Sequence, residues 1–181
     1  MELDDRLMVE SEETAHGIIV VQVAIVVRDL ERTVESYERV LGWGPWRIYD
    51  FRDLPHVDTR VGPGKEKREY SMRTAACLVG GITFEIIEPV GPSPYTEFLE
   101  ERGEGLHHIQ LRGSDPAALR ERLQNSGMPY MMGGKMDFGP DEILEYDYHD
   151  GSEDLHLYIE STYGKRERLL GIDTGADASQ D

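Results

Sequence analysis

The chain has 181 residues, of which 39% are hydrophobic, enough to form the core of one domain or of two small fused halves. Its formal net charge of −17 disfavours nucleic acid and anionic membranes as partners, because contacts to phosphate require Lys or Arg. No apolar run reaches the roughly 18 residues of a membrane span, and the acidic start lacks the basic and apolar segments of a signal peptide, so we expect a cytoplasmic protein.

The first half opens with an acidic segment, residues 1–17, that we expect to be a tail. A β-branched run over residues 18–27 then predicts a strand buried on both faces. Asp29 is a candidate N-cap for the amphipathic helix that follows, and Gly42 is placed to end that helix.

Three further segments complete a first module, which we place at residues 18–92. An aromatic, extended stretch comes first, followed by a loop over residues 52–68 that is rich in proline, glycine and charge. A hairpin with its turn at Gly80 and Gly81 closes the module, and the single cysteine, Cys77, is predicted to be a buried thiol in this hairpin.

The second half follows a linker, residues 93–106, in which Pro94 can start a short helix and Gly103 can stop it. A second module is predicted over residues 107–163: a strand, a helix capped by Ser114 or Asp115 and stopped at Gly127, a loop, and a hairpin. Residues 164–181 are polar and are predicted to be a tail.

The two modules repeat each other, since Gln22 precedes His108 by 86 residues and Gly42 precedes Gly127 by 85. A repeat of this length indicates a duplicated unit rather than a solenoid. Each unit reads as strand, helix and three strands, so we predict an α+β fold of two tandem βαβββ modules, with the helices outside curved sheets.

Each module opens with a polar side chain and closes with a glutamate among apolar neighbours, which gives four candidate metal ligands: Gln22, Glu85, His108 and Glu160. On pattern alone, strand alternation would point both glutamates to solvent, but the internal symmetry favours convergence on one cation. One imidazole, two carboxylates and an amide oxygen suit Mn²⁺, Co²⁺, Ni²⁺, Mg²⁺ or Zn²⁺. A single histidine argues against an iron-dependent ring-cleaving dioxygenase.

The stretch FEIIEPVGPSPYTEFLEERGEGLHHIQL, residues 84–111, together with the repeat, resembles the vicinal oxygen chelate superfamily and its methylmalonyl-CoA epimerase-like subgroup. The resemblance covers about residues 18–162. It implies an open, cup-like sheet around a divalent metal held by the four residues above, and a homodimer is a reasonable expectation. Gln22 departs from the histidine usual in the family, and Thr74 stands where the subgroup can place a catalytic carboxylate.

Acid–base groups and a substrate pocket are predicted from the same reading. Glu160 or Glu85 is the candidate base, and the acid is left open among Tyr146, Glu145 and His149. His107 is expected on the opposite face of its strand from His108. An aromatic wall for a ring-bearing substrate, against the equal alternative of core packing, would comprise Trp43, Trp46, Tyr49 and Phe51, with Met131, Met132 and Met136 adding apolar surface.

These features predict a metal-dependent epimerase or racemase that inverts a stereocentre next to a carbonyl through an enolate. The resemblance implies a 2-methyl-branched acyl-CoA, with Lys65, Lys67, Arg68 and Arg73 as a possible landing patch. The charge of the chain instead favours a neutral aromatic ketone, as for an isoflavanone racemase. A glyoxalase-like lyase or isomerase and a non-catalytic small-molecule-binding module of the same fold are the alternatives.

Overall fold

The computed structural model describes residues 17–52, 56–137 and 143–164. The predicted tails, apart from Gly17 and Gly164, lie outside the described residues. Thirteen elements follow in chain order: β1 (Ile18–Val26), α1 (Leu30–Leu41), β2 (Arg47–Asp50), β3 (His56–Val61), β4 (Glu66–Lys67), β5 (Ser71–Val79), β6 (Ile82–Val90), α2 (Pro94–Arg102), β7 (Gly105–Gly113), α3 (Pro116–Asn125), β8 (Tyr130–Asp137), β9 (Ile143–Gly151) and β10 (Leu157–Gly164).

The described strands form one open sheet in the order β2-β5-β6-β1-β7-β10-β9-β8-β3-β4. The two halves meet at its centre, where β1 and β7 run antiparallel. On either side the pattern repeats, since β1 pairs in parallel with β6 and β7 pairs in parallel with β10. The predicted α+β fold of two βαβββ modules is therefore confirmed, and a pseudo-twofold axis passes between β1 and β7.

The helices begin and end where their capping residues dictate. The Asp29 carboxylate accepts from the Arg32 amide and Gly42 takes the left-handed conformation that ends α1. The Asp115 side chain caps α3, which ends one residue earlier than predicted, with Ser126 rather than Gly127 as its C-cap. The Ser93 side chain caps α2 ahead of Pro94, and Gly103 closes it.

Alternation along each strand separates an inner face from an outer face. The outer face packs beneath α1, around Leu30, Val34 and Ile86, and beneath α3, around Leu119 and Ile159. The inner face carries a larger cluster of aromatic residues and methionines, to which α2 adds Tyr95, Phe98 and Leu99. The candidate ligand residues lie on this inner face.

The predicted loop over residues 52–68 was wrong in part. Residues His56–Val61 and Glu66–Lys67 form a hairpin, and β3 pairs with β8 of the second half rather than with its own module. This crossing lengthens the sheet on the second half's side. It also explains why residues 130–137, predicted as a loop, form a strand, since β8 gains a partner on each edge.

The central strand pair contains two irregularities. The register of β1 against β7 shifts between Val20 and Gln22, and again between Ala24 and Ile25, where His108 and Leu106 are the partners. Val21 and His107 are therefore the extra residues of two β-bulges. The prediction that β1 is buried on both faces was wrong for the beginning of the strand, because Ile19 and Val20 are exposed. The Cys77 thiol is buried, as predicted.

Candidate functional site

The four predicted ligand residues lie on four adjacent central strands and face inward. Gln22 is on β1, Glu85 on β6, His108 on β7 and Glu160 on β10. Their outward neighbours Ile86 and Ile159 pack beneath the helices, which fixes the glutamates on the opposite face. All four side chains are buried, with Glu85 6% and Glu160 7% exposed, so the alternative in which the glutamates point to solvent does not hold.

Two close pairs make up this group. The Gln22 amide nitrogen donates to Glu85 Oε2 at 2.5 Å, and its own carbonyl oxygen is buried without a hydrogen-bond partner. His108 Nε2 lies 3.0 Å from Glu160 Oε2. The angle there does not make a hydrogen bond, so Nε2 has no hydrogen-bond partner either. Each pair thus contains one buried atom that could bind a metal and makes no hydrogen bond. These atoms are Gln22 Oε1 and His108 Nε2.

The carboxylates also act on each other. Burial raises the pKa of Glu85 to about 8, and repulsion from Glu160 adds to this, while hydroxyl and amide groups of Thr74 and Gln22 lower it in part. Thr74 is fully buried on the inner face. Its hydroxyl makes no hydrogen bond of ordinary geometry. Two buried acids that repel each other in an apolar setting are stabilised by a proton or by a cation.

The residues present fit a divalent cation in their chemistry. An imidazole nitrogen, an amide oxygen and two carboxylates form the hard oxygen and nitrogen set that such cations prefer. Among the described residues, no three His, Cys, Asp or Glu side chains stand in a ready-made metal-binding arrangement. Binding would therefore require the two pairs to reorient toward one point, and the amide of Gln22 to present Oε1.

Tyrosine hydroxyls surround the ligand group on the inner face. Tyr148 lies opposite Glu160 in the β9–β10 register, and its ring centroid is 4.9 Å from that of His108. The Tyr95 hydroxyl donates to the Tyr148 hydroxyl at 3.2 Å, and the Tyr70 and Tyr146 hydroxyls are 3.0 Å apart. Burial, with a contribution from Glu160, raises the pKa of Tyr146 and Tyr148, so both phenols stay protonated.

Sequence reasoning named Tyr146 but missed Tyr70, Tyr95 and Tyr148 as site residues. The alternation in EYDYH already placed Tyr146 and Tyr148 on one face, and it left open which face lines the cup. Tyr70 and Tyr95 carry no local signal, because Tyr70 lies just before β5 and Tyr95 lies in α2, and both reach the site only through the fold.

The expectation that His107 faces away from His108 was wrong. The bulge at His107 breaks the alternation, and the two Nδ1 atoms lie 3.0 Å apart. His107 is fully buried among Tyr95, Phe98 and Tyr158, with ring centroids at 5.0, 4.8 and 4.9 Å. Burial lowers its pKa, and so does neighbouring His108, which keeps the His107 ring neutral.

Two candidate acids are not brought to the site. Glu145 lies on the outer face, where it accepts from Arg120 at 3.1 Å and from Lys135 at 2.8 Å. His149 pairs in register with Ile159, whose side chain packs beneath α3, and its ring lies beside Tyr130. Both therefore point away from the inner carboxylates, which leaves Tyr146 of the three.

The predicted pocket residues separate into two groups. Trp43 and Trp46 belong to the outer layer, where they pack on Tyr37 and Phe84 beside α1. Tyr49, Phe51 and Met132 lie in or against the inner cluster. Met131 and Met136 also belong there. Of the four predicted aromatic pocket residues, Trp43 and Trp46 are thus part of the outer packing, and Tyr49 and Phe51 line the inner face.

The predicted landing patch is dispersed. Arg73 pairs with Glu31 and Glu88, Arg68 pairs with Glu97, and Lys65 lies over the Tyr130 ring. A cleft of about 650 Å³ opens beside Phe51 and Tyr70, and it is lined by two cations and two acids, Arg52, Lys67, Asp58 and Glu69. Its charges balance, so it carries no net attraction for a polyanion.

Comparison with known proteins identifies the family. The sequence profile of the Glyoxalase/Bleomycin resistance protein/Dioxygenase superfamily matches residues 21–143, and the chain belongs to this family. An ethylmalonyl-CoA/methylmalonyl-CoA epimerase from Cereibacter sphaeroides is 27% identical over 119 residues, which cover 65% of this chain and 77% of that protein.

Solved structures show the same fold at lower identity. Methylmalonyl-CoA epimerase from Mycobacterium tuberculosis is 18% identical with a TM-score of 0.51, covering 90% of this chain and 97% of that one. A methylmalonyl-CoA epimerase in complex with methylmalonyl-CoA and NH4+ is 18% identical with a TM-score of 0.54, covering 79% and 92%.

The fold is also shared by proteins with other names. A variant of 4-hydroxymandelate synthase from Streptomyces coelicolor is 20% identical with a TM-score of 0.51, covering 82% of this chain and 50% of that one. The fold alone therefore does not choose the reaction. None of the helices in the described part of the chain is long and apolar enough to cross a membrane.

Proposed function

We propose that this protein is a divalent-metal-dependent epimerase that inverts a stereocentre next to a carbonyl through an enolate. The observation that carries the proposal is the burial of Gln22, Glu85, His108 and Glu160 on the four central strands, two from each half, in a chain similar to an acyl-CoA epimerase. When bound there, the cation would act as a Lewis acid that stabilises negative charge developing on the substrate carbonyl oxygen.

The inner carboxylates supply the base. Glu85, whose pKa burial raises to about 8 in the metal-free protein, is the first candidate, and Glu160 is the alternative. A carboxylate oxygen of Glu85 or of Glu160 would take the α-proton from one face of the substrate.

The Tyr146 hydroxyl supplies the acid. It is buried on the inner face, stays protonated, and returns a proton to the opposite face of the planar enolate in this proposal. The Tyr70 hydroxyl is hydrogen-bonded to the Tyr146 hydroxyl, and Tyr70 lines the 650 Å³ cleft. Tyr70 would therefore give the deprotonated Tyr146 a route for proton exchange with solvent. Tyr148, whose ring lies beside that of His108, would hold the substrate by its hydroxyl in this proposal.

We propose a 2-branched acyl thioester as the first substrate class, because the relatives by sequence and structure are named for ethylmalonyl-CoA and methylmalonyl-CoA. A neutral ketone bearing an aromatic ring is the second class. It is favoured by the balanced charge of the cleft and by the aromatic inner face.

The test is proton exchange. Purified protein is stripped with a chelator, reloaded with Mn²⁺, Co²⁺, Ni²⁺, Mg²⁺ or Zn²⁺, and incubated in D₂O with methylmalonyl-CoA, ethylmalonyl-CoA or an α-aryl ketone. We expect deuterium at the α-carbon and loss of optical rotation, dependent on the metal. The matched control is His108→Ala, which should retain the fold and lose both metal and exchange.

Other outcomes separate the remaining functions. Metal binding with no exchange in any enolisable substrate would contradict the epimerase and leave a glyoxalase-like lyase or isomerase. Tight binding of a small molecule by protein that takes up no metal would instead identify a non-catalytic binding module of the same fold.

A further inference from the structure

The two β-bulges of the central strand pair are related by the pseudo-twofold axis. Val21 is the bulged residue immediately before Gln22, and His107 is the bulged residue immediately before His108. A bulge turns an extra side chain toward the neighbour it would otherwise face away from. In the second half, the additional residue, His107, contacts the proposed ligand His108.

The residues in the two bulges differ in a way that matches the ligands they precede. Gln22 offers an amide oxygen, which needs no fixed tautomer, and the residue behind it is apolar. His108 offers an imidazole, which binds a metal through Nε2 only when the ring proton sits on Nδ1. The residue behind it is another imidazole, with its Nδ1 atom 3.0 Å from His108 Nδ1.

One of these two nitrogens donates to the other, and the two directions leave different groups beside Glu160 and among the aromatic rings. If His107 donated, His108 would carry its proton on Nε2, yet a hydrogen there makes no hydrogen bond to Glu160 despite the 3.0 Å separation. His107 Nε2 would then be a bare lone pair, buried without a donor among three aromatic rings.

The opposite direction is the one that metal binding through His108 Nε2 requires. His108 Nδ1–H donates to His107 Nδ1, and the lone pair of His108 Nε2 then lies 3.0 Å from Glu160 Oε2, an arrangement that a cation between the two atoms would stabilise. His107 then carries its proton on Nε2, where an N–H can interact weakly with the surrounding rings.

We propose that His107 is a positioning residue, which accepts from His108 Nδ1–H and so fixes His108 in its metal-binding tautomer. This inference rests on the metal site of the proposed function. A histidine that binds metal commonly gives its other N–H to a carboxylate, a carbonyl or water, and loss of that partner typically weakens metal affinity by 10- to 100-fold. Here a second histidine takes that role.

The test compares His107→Phe, which fills the aromatic surroundings without an acceptor, with His107→Asn, whose side-chain oxygen stands near the position of Nδ1. Two readouts are used: the histidine ring ¹⁵N shifts of metal-free protein, which report the tautomer, and Co²⁺ affinity by competition with a fluorescent chelator. In wild type we expect His108 protonated on Nδ1. In His107→Phe we expect loss of that single tautomer and Co²⁺ binding weaker by about 10- to 100-fold, with both restored in His107→Asn.

The two proposals fail in distinguishable ways. A proton on His108 Nε2 in wild type, or a His107→Phe variant with unchanged tautomer and Co²⁺ affinity, overturns the role of His107. Equal loss in His107→Phe and His107→Asn also overturns it, because packing alone would then be responsible. The expected tautomers without Co²⁺ binding by wild type would support the role of His107 and overturn the metal site.

Discussion

Glu85 shows how one buried residue links site chemistry to stability. Its ordinary pKa is 4.5, and in the folded, metal-free protein burial and Glu160 raise the pKa to about 8. Between these values the folded chain holds a proton that the unfolded chain releases. The stability linked to this proton is complete below pH 4.5 and is lost as the pH rises through about 8.

The first prediction follows from that sign. With chelator present, the free energy of unfolding of wild type should fall by a few kcal/mol between pH 5 and pH 9 relative to Glu85→Gln, which cannot lose the proton. Urea unfolding of both proteins across this range measures the difference. A wild-type free energy of unfolding that stays level or rises with pH, relative to that of Glu85→Gln, would contradict the raised pKa.

Tyr146 carries the second prediction. Tyr146→Phe removes the proposed proton donor and keeps the ring, so deuterium exchange into the substrate should slow by about 10²- to 10⁴-fold while metal affinity is unchanged. Tyr158→Phe is the matched control, because Tyr158 lies in the same inner cluster and has no assigned role. Equal rates in the two variants would remove Tyr146 from the reaction.

At the scale of elements, β8 shows why small residues are required next to the site. A Cβ added at Gly133 would lie 2.5 Å from the carbonyl oxygen of Tyr146 and 2.8 Å from Asp147 Oδ1. One added at Gly134 would lie 2.9 Å from the Tyr146 hydroxyl oxygen. The glycines of β8 therefore pack against both the backbone and the phenol of Tyr146, which restricts the position of each.

The third prediction uses this close approach. Gly133→Ala should destabilise the fold by about 1–3 kcal/mol, because a backbone carbonyl cannot move away from the added methyl group. Gly64→Ala is the control, since its Cβ would meet only the Glu66 side chain, at 3.8 Å. Thermal or urea unfolding compares them, and equal stability would mean that β8 shifts freely on β9.

Element prediction from sequence succeeded where the signal is local. Asp29 with Gly42, and Pro94 with Gly103, mark the ends of α1 and α2. The β3–β4 hairpin and β8 were missed for the opposite reason. Their strands are stabilised by pairing across the two halves, and glycine-rich or charged strands have weak periodicity of their own.

At the scale of the whole molecule, a shared cation would join the two halves, because each half supplies two of its proposed ligands. Binding to the folded state alone stabilises a protein by RT ln(1 + [L]/Kd), about 2.7 kcal/mol at a hundredfold excess over Kd. Folding stability therefore reports metal binding without any substrate.

The fourth prediction is that the unfolding midpoint of wild type rises with Mn²⁺ or Co²⁺ and returns on chelation. His108→Ala should show no such rise, since it removes the nitrogen ligand. Scanning calorimetry over a range of metal concentrations measures this. A midpoint that is independent of metal in wild type would exclude a site built from these four side chains.

The sequence by itself determined the repeat, the α+β class and the four polar positions at the centre of the sheet, because these depend on periodicity, capping and internal symmetry. Only the tertiary structure decided which face of β9 lines the cup, that Trp43 and Trp46 lie outside it, and that His107 turns toward His108. These depend on a bulge and on contacts between distant segments. A single strand's alternation gives two faces and does not say which of them the rest of the chain will cover.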